Sequence, residues 1–283
     1  MTGNPCAGKE LSSAGYRGML AGMMRGRDAR RCARPRCGHL LVLVLVVWPI
    51  LLPAAARAAE NRAAARLEAM AAVLAKAQRL SVTIDCAYDV LQDSGEKIEF
   101  GERRVVVLRR PDRARVDVTR RDGARRGVVF DGKDLAVFDL DQKVYATVSK
   151  PGTVDAAFDY FVNDLNMRLP LRELLKSDLP TVLKDVVGTA RLVASERLGD
   201  VATDHIALRG ATADMQLWIP RDGDPLPKRI VITYRLAGGQ PRFEADLGPW
   251  NLAPDVPDSL FTFTPAAGAE RIPVLAPRRG KAR

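Results

Sequence analysis

Only two histidines, His39 and His205, and four cysteines occur in 283 residues. No G-x-S-x-G run is present, so a Ser–His–Asp site would have to be built on His205 alone, in the strand-like A-T-D-H-I-A-L. A lone strand histidine reads better as a satisfied or surface group than as a general base. One His with scattered carboxylates does not make a zinc set, and the aspartates at 85, 89, 93, 131, 134, 139 and 141 lack the spacing of a calcium loop. No glycine motif cradles a phosphate. The expectation is a protein with no catalytic residues, no metal and no cofactor, hence not an enzyme.

Cysteine is scarcer still beyond residue 58. Cys6, Cys32 and Cys37 precede it, and only Cys86 follows. Residues 25–36 hold six arginines, an apolar run covers Leu40–Leu52, and Ala56-Arg57-Ala58 is a small-x-small site. Together they read as a cleaved secretory signal over 1–58. The alternative is an uncleaved inner-membrane anchor through 40–52. That run has 13 residues and contains Pro49, whereas a spanning helix needs roughly 20. No cysteine directly follows it, which argues against a lipidated N-terminus. Export implies the periplasm, and a lone Cys86 there means a core that holds without an internal disulfide. Its apolar-phase strand position suits a buried, inert thiol.

Charge is concentrated at the ends. Residues 1–58 carry nine Lys+Arg against two Asp+Glu, a net of +7 out of +10, and Arg278–Arg283 carry +4. The folded part is near −1, so the basic balance is no sign of nucleic-acid binding. Residues 274–283 read as a disordered basic tail, and 59–273 as one domain.

Residues 60–80 are Ala-rich without Gly or Pro, with Leu67, Met70, Ala71 and Leu74 on one stripe; they predict a helix. From Ser81 the period becomes two. About six strands joined by short turns run to Val148, with Asp131-Gly132 a strong hairpin signal. Residues 151–187 are the one long helical stretch in this strand pattern. Val154, Ala157, Phe158, Phe161, Val162 and Leu165 form an apolar stripe, Thr153 is placed to cap, and Leu171, Leu174 and Leu175 begin a second short helix. Asp178 and Pro180 open a third, closed by Gly188. Five more strands follow, to Asn251, and Leu260, Phe261 and Phe263 then insert into something apolar. The fold class is α+β: about eleven strands in one large antiparallel sheet curled around the helices, with an N-terminal helix and the helical insert lidding its concave side.

The arginines at 103, 104, 109, 110, 113, 115, 120, 121, 125 and 126, interleaved with Glu102, Asp112, Asp117 and Asp122, read as a charged outer sheet face of cross-strand pairs. The functional alternative is a face for anionic headgroups or an acidic partner. The helical insert has two readings of its own, ordinary core or the lining of an apolar cavity.

The segments D-G-K-D-L-A-V-F-D-L-D-Q-K-V-Y-A-T (131–147), P-G-T-V-D-A-A-F-D-Y (151–160), P-L-R-E-L-L-K-S-D (170–178) and W-N-L-A-P-D-V-P-D-S-L-F-T-F-T-P-A-A-G-A-E-R-I-P (250–273) resemble a bacterial family of predicted periplasmic proteins, domain of unknown function 2092. That family is similar in fold to the outer-membrane lipoprotein carrier (LolA-like). The resemblance implies a strongly curved, open antiparallel sheet (half-barrel) of about eleven strands, with a helical lid in the concavity and acyl chains held beneath it. The expectation is therefore a monomeric periplasmic carrier or chaperone for an acyl chain, lipid or lipidated protein. Its site would be formed by Phe138, Tyr145, Phe158, Phe161, Leu165, Leu174 and Trp218. Partners would be that apolar ligand or an envelope protein, with transient contact to an anionic membrane surface and none to nucleic acid. The alternative is a non-enzymatic envelope-sensing or interaction module using Arg103, Arg104, Arg109 and Arg110.

Overall fold

Pairing order gives the architecture directly. The computed structural model describes residues 48–165 and 169–274. The basic stretch, three of the four cysteines, most of the apolar run and the basic tail from residue 275 lie outside the described residues. Helix α1 (Trp48–Lys76) leads into a run of six strands: β1 (Arg79–Leu91), β2 (Lys97–Arg109), β3 (Arg113–Arg120), β4 (Arg125–Phe130), β5 (Asp134–Asp139) and β6 (Val144–Ser149). Helix α2 (Val154–Asn163), a 3-10 turn at Arg172–Leu175 and helix α3 (Leu179–Val187) follow. Then come β7 (Arg191–Leu198), β8 (Val201–Arg209), β9 (Ala213–Pro220), β10 (Arg229–Tyr234), β11 (Arg242–Asn251), a 3-10 turn at Asp258–Phe261 and β12 (Glu270–Arg271).

All twelve strands join one open sheet in the order β12-β6-β5-β4-β3-β2-β1-β11-β10-β9-β8-β7. Every pair is antiparallel except β12 on β6. The helical insert therefore interrupts two meanders that meet at β1 and β11 in the middle. The short β12 escapes a reading by alternation because two residues carry no period.

Register assigns the two faces. Val82, Val106, Val116, Val128 and Val137 line up across β1 to β5, and Cys86, Ala245, Ile230, Leu217 and Ile206 across the other half. These rows belong to the core that also contains Leu67, Leu74, Phe158, Phe161, Leu174, Leu179 and Leu183 from the helices. Burying each such side chain contributes about 1.5–3 kcal/mol. The opposite face of β3–β6 has a second, smaller apolar layer. Val129, Ala136 and Phe138 are buried there, Phe261 is buried with them, and Phe263 stacks on Phe138 at 5.4 Å. The C-terminal strap thus covers the β3–β6 part of the side of the sheet that the helices do not.

The N-terminal helix differs from its expected bounds of 60–80. It starts by Trp48 and ends at Lys76, and Arg79 and Leu80 already pair with Arg109 and Leu108 of β2. Ladder pairing and burial of Leu80 in the core override local helix propensity. On the helix, Ala63, Leu67, Met70, Ala71 and Leu74 are buried. The helix is tied to the sheet at Asp204, fully buried, which accepts from Arg62 at 2.7 Å and from Ser195 Oγ at 2.9 Å.

Candidate functional site

The helical layer covers the middle of its sheet face and stops short of one end. Thr153 caps α2 by accepting from Ala156 N at 3.2 Å, which fixes the start of the stripe. Val154, Ala157, Phe158 and Phe161 then face the sheet. Leu165 lies beyond the end of α2 and packs at the edge of the core. The expected second helix is a single 3-10 turn, which points Leu174 and Leu175 inward. Leu171, just before it, sits at φ 70°, in the left-handed region that a bulky residue enters at a cost of about 1–2 kcal/mol.

Arg110 latches this layer. Its Nη2 donates to Leu175 O at 2.8 Å, its Nε donates to Ala77 O at 3.1 Å, and its Nη1 lies 3.6 Å from Asp155 Oδ1. One side chain thereby joins the end of α1, the first turn of α2 and the 3-10 turn to the end of β2. Burial pushes its pKa down, and Asp155 opposes the shift. Asp155 also accepts from Ser177 N at 3.1 Å and from the Ser177 hydroxyl. Lys176, nearly buried, lies 3.2 Å from Asp159 and 3.3 Å from Asp178. Burial pulls its pKa down, but the hydrogen bonds to the two carboxylates outweigh this and hold it above the ordinary lysine value.

Two adjoining spaces on this face are lined by described residues. The first is a cavity of about 70 Å³ between sheet and lid, lined by Val82, Ile84, Val106, Phe158, Leu174 and Trp250 among others. The second is an open groove of about 540 Å³ past the lid's edge, walled by Tyr88, Val90, Leu91, Tyr234 and Phe243. Arg104 and Pro170 line both. The groove continues onto an uncovered apolar end of the β1–β2 hairpin. There Tyr88 stacks on Phe100 at 6.3 Å, and Val90, Ile98 and Phe100 are all more than a third exposed. Contiguous exposed apolar surface of this kind marks a binding site more often than a packing defect.

The seven residues expected to touch a ligand split between the faces. Phe158, Phe161, Leu174 and Leu165 belong to the lid and its core. Phe138 and Tyr145 stand on the opposite face, both against Phe263, in a separate cleft of about 240 Å³ under the strap. Trp218 is also on that opposite face, stacked on His205 at 4.1 Å with its Nε1 donating to Glu196 at 2.5 Å. Each points away because its strand places the other phase inward: Leu217 and Ile219 beside Trp218, Leu135 and Val137 beside Phe138, and Val144 and Ala146 beside Tyr145. His205 is satisfied, its Nε2 3.0 Å from Gln216 Oε1.

The four arginines expected on one face are also divided. Arg103 bridges Asp85 at 2.7 Å on the lid-free face, and Arg109 pairs with Asp258 of the strap. Arg104 points into the groove, and Arg110 is the latch. Most other arginines of the series are in pairs, such as Arg115–Asp117 at 2.7 Å and Arg121–Glu99 at 2.7 Å.

The groove floor holds residues that aromatic content alone did not point to. Glu102 is buried and accepts from Arg104 Nε at 2.7 Å and Arg126 Nη2 at 2.8 Å. Its signal was present in β2, where Glu102 and Arg104 interrupt the inward phase between Phe100 and Val106. No group of three or more His, Cys, Asp or Glu able to hold a metal occurs among the described residues.

An open antiparallel half-barrel with a latched helical lid over an apolar face is the class that fold and site define. The family model for predicted periplasmic proteins of domain of unknown function 2092 matches residues 63–275, and the chain belongs to that family. Its setting is accordingly the periplasm. No curated protein sequence matches it. Among solved structures it is similar to a LolA superfamily protein from Nitrosomonas europaea, at 16% identity and TM-score 0.36 over 71% of this chain and 97% of that one. It is also similar to the lipoprotein LppX of Mycobacterium tuberculosis, at 17% identity and TM-score 0.43 over 70% and 99%. For the MucA/MucB complex of Pseudomonas aeruginosa the figures are 16% and 0.37, over 71% and 61%.

Proposed function

We propose that this protein is a non-enzymatic periplasmic carrier that takes an acyl chain or similar apolar guest between sheet and lid. One observation carries the reading: a small apolar cavity and a larger, partly apolar groove adjoin on the same sheet face and share Arg104 and Pro170. The groove lies within the range of roughly 300–1,000 Å³ common to small-molecule sites, and the cavity is far below it. On this reading the structure is the closed form. A guest enters along the groove, and the lid must move for the chain to continue beneath Phe158 and Leu174. That motion relieves the strain at Leu171 and breaks the Arg110 contacts to Leu175, Ala77 and Asp155.

Nile red, an uncharged apolar dye, tests the groove. Val90→Asp and Leu91→Asp replace side chains already 38% and 43% exposed, so the fold should be unaffected. The expected result is saturable dye binding by the wild type and at least tenfold weaker binding by the double variant, with an unchanged melting temperature. A wild type that binds no dye would overturn the carrier reading.

A further inference from the structure

The apolar-guest reading leaves the charged groove floor without a role, and an apolar ligand would gain nothing from it. Building on that reading, we infer that the guest is a single-chain amphiphile with a monoanionic headgroup, held at Arg104 and Arg126 while its tail runs along Tyr88 and Phe243 toward the lid. Glu102 is the key to the arrangement. Its carboxylate is 1% exposed, yet it sits between two guanidinium groups that border the groove. A buried acid bridging two arginines is costly to desolvate and stabilises little by itself. What it does is fix both guanidinium forks in place before any ligand arrives.

The bookkeeping of charge and donors supports a single negative charge. Arginines 104 and 126 against Glu102 leave +1. The remaining ions on the groove wall, Arg242 and Asp89, cancel each other. Arg104 spends its Nε and Nη2 on Glu102, and Arg126 its Nη2. Arg104 Nη1 and the Nε and Nη1 of Arg126 donate to no other described residue. Arg104 is also steadied by the Phe243 ring, 5.7 Å from its guanidinium carbon. Both guanidinium groups line the same groove as Tyr88, Val90 and Phe243, so a carboxylate or phosphodiester placed there accepts charge-assisted bonds while the attached chain lies on those three side chains. The groove volume of about 540 Å³ suits one chain better than a diacyl lipid.

Isothermal titration at pH 8, below micellar concentrations, with palmitate, palmitoyl lysophosphatidylglycerol and uncharged monopalmitoylglycerol separates the possibilities. The expected order is either or both anions about tenfold tighter than the neutral ester, with the advantage shrinking as salt is raised. Which anion leads distinguishes a carboxylate from a phosphodiester source, and both outcomes support the assignment. Shortening the chain should weaken binding about fourfold per methylene. Arg126→Gln keeps the Glu102–Arg104 pair and should cut the anion's advantage about fivefold while leaving monopalmitoylglycerol unchanged. Glu102→Gln raises the floor to +2 and should move the preference the other way. Equal binding of anion and neutral ester, or an advantage untouched by Arg126→Gln, overturns the headgroup assignment and leaves the carrier reading standing. Binding of none of the three, together with no Nile red uptake, removes both.

Discussion

Replacing the lid latch, Arg110→Met, keeps the apolar stem and deletes the guanidinium. The lost contacts are two charge-assisted bonds to carbonyls, Leu175 O at 2.8 Å and Ala77 O at 3.1 Å, and a longer pairing with Asp155 at 3.6 Å. Hydrogen bonds from charged donors contribute about 1.5–3 kcal/mol each. Against them stands the cost of burying the cation, visible in the downward push on the Arg110 pKa, and that cost disappears with methionine. Asp155 keeps its Ser177 N–H partner and is not orphaned. The net should be about 2 kcal/mol against the closed lid, which is about 30-fold in the opening equilibrium. Hydrogen exchange is the assay. The amides of Leu174 and Lys176, bonded within the 3-10 turn to Leu171 O and Glu173 O, should exchange about 30-fold faster. Amides in the centre of β1 and β2 should change much less, and apolar dye should associate faster. Equal acceleration throughout the sheet, or none at the turn, would show that Arg110 is an ordinary stability contact and not a latch.

Three further outcomes follow from the same geometry. Phe158→Ala should cost about 3 kcal/mol in denaturant unfolding, the low end for a buried phenylalanine because it borders an existing 70 Å³ cavity, and should raise dye affinity by enlarging that space. Unchanged dye affinity would mean that the cavity is not part of the binding path. Lys176 has a folded pKa above its ordinary 10.5, so its stabilisation is complete below pH 10.5 and is lost as pH rises through the higher folded value. Lid amides should accordingly lose protection in alkaline solution, and Lys176→Met should flatten that pH profile. Cys86 is buried with its thiol pushed up to about 11, chiefly by burial, so a thiol reagent at pH 8 should label it only after unfolding.

Much of the sheet was legible because alternation is strong where one face is wet. The expected run of about six strands to Val148 is β1–β6, and the stripe at Val154, Ala157, Phe158 and Phe161 correctly announced the lid's buried face. What alternation could not say is which phase meets the helices. In β5 both phases are buried, Leu135 toward the lid and Ala136 and Phe138 toward the strap, so Phe138 was misplaced for a physical reason. Trp218 was more legible than its selection implied, since it shares its phase with Gln216 and Asp214 while Met215, Leu217 and Ile219 take the apolar one. The groove depends on where the lid ends, a tertiary fact, and on Glu102 and Arg104 occupying an inward phase, a local one that the sequence did display.

The carrier reading stands or falls most directly on what the protein holds when taken from the periplasm. Native mass spectrometry of the full protein purified without detergent, followed by organic extraction, should give a bound species the mass of one single-chain lipid, displaced by palmitate. A population with bare mass and no extractable lipid, unchanged when palmitate or lysophosphatidylglycerol is added, would contradict it.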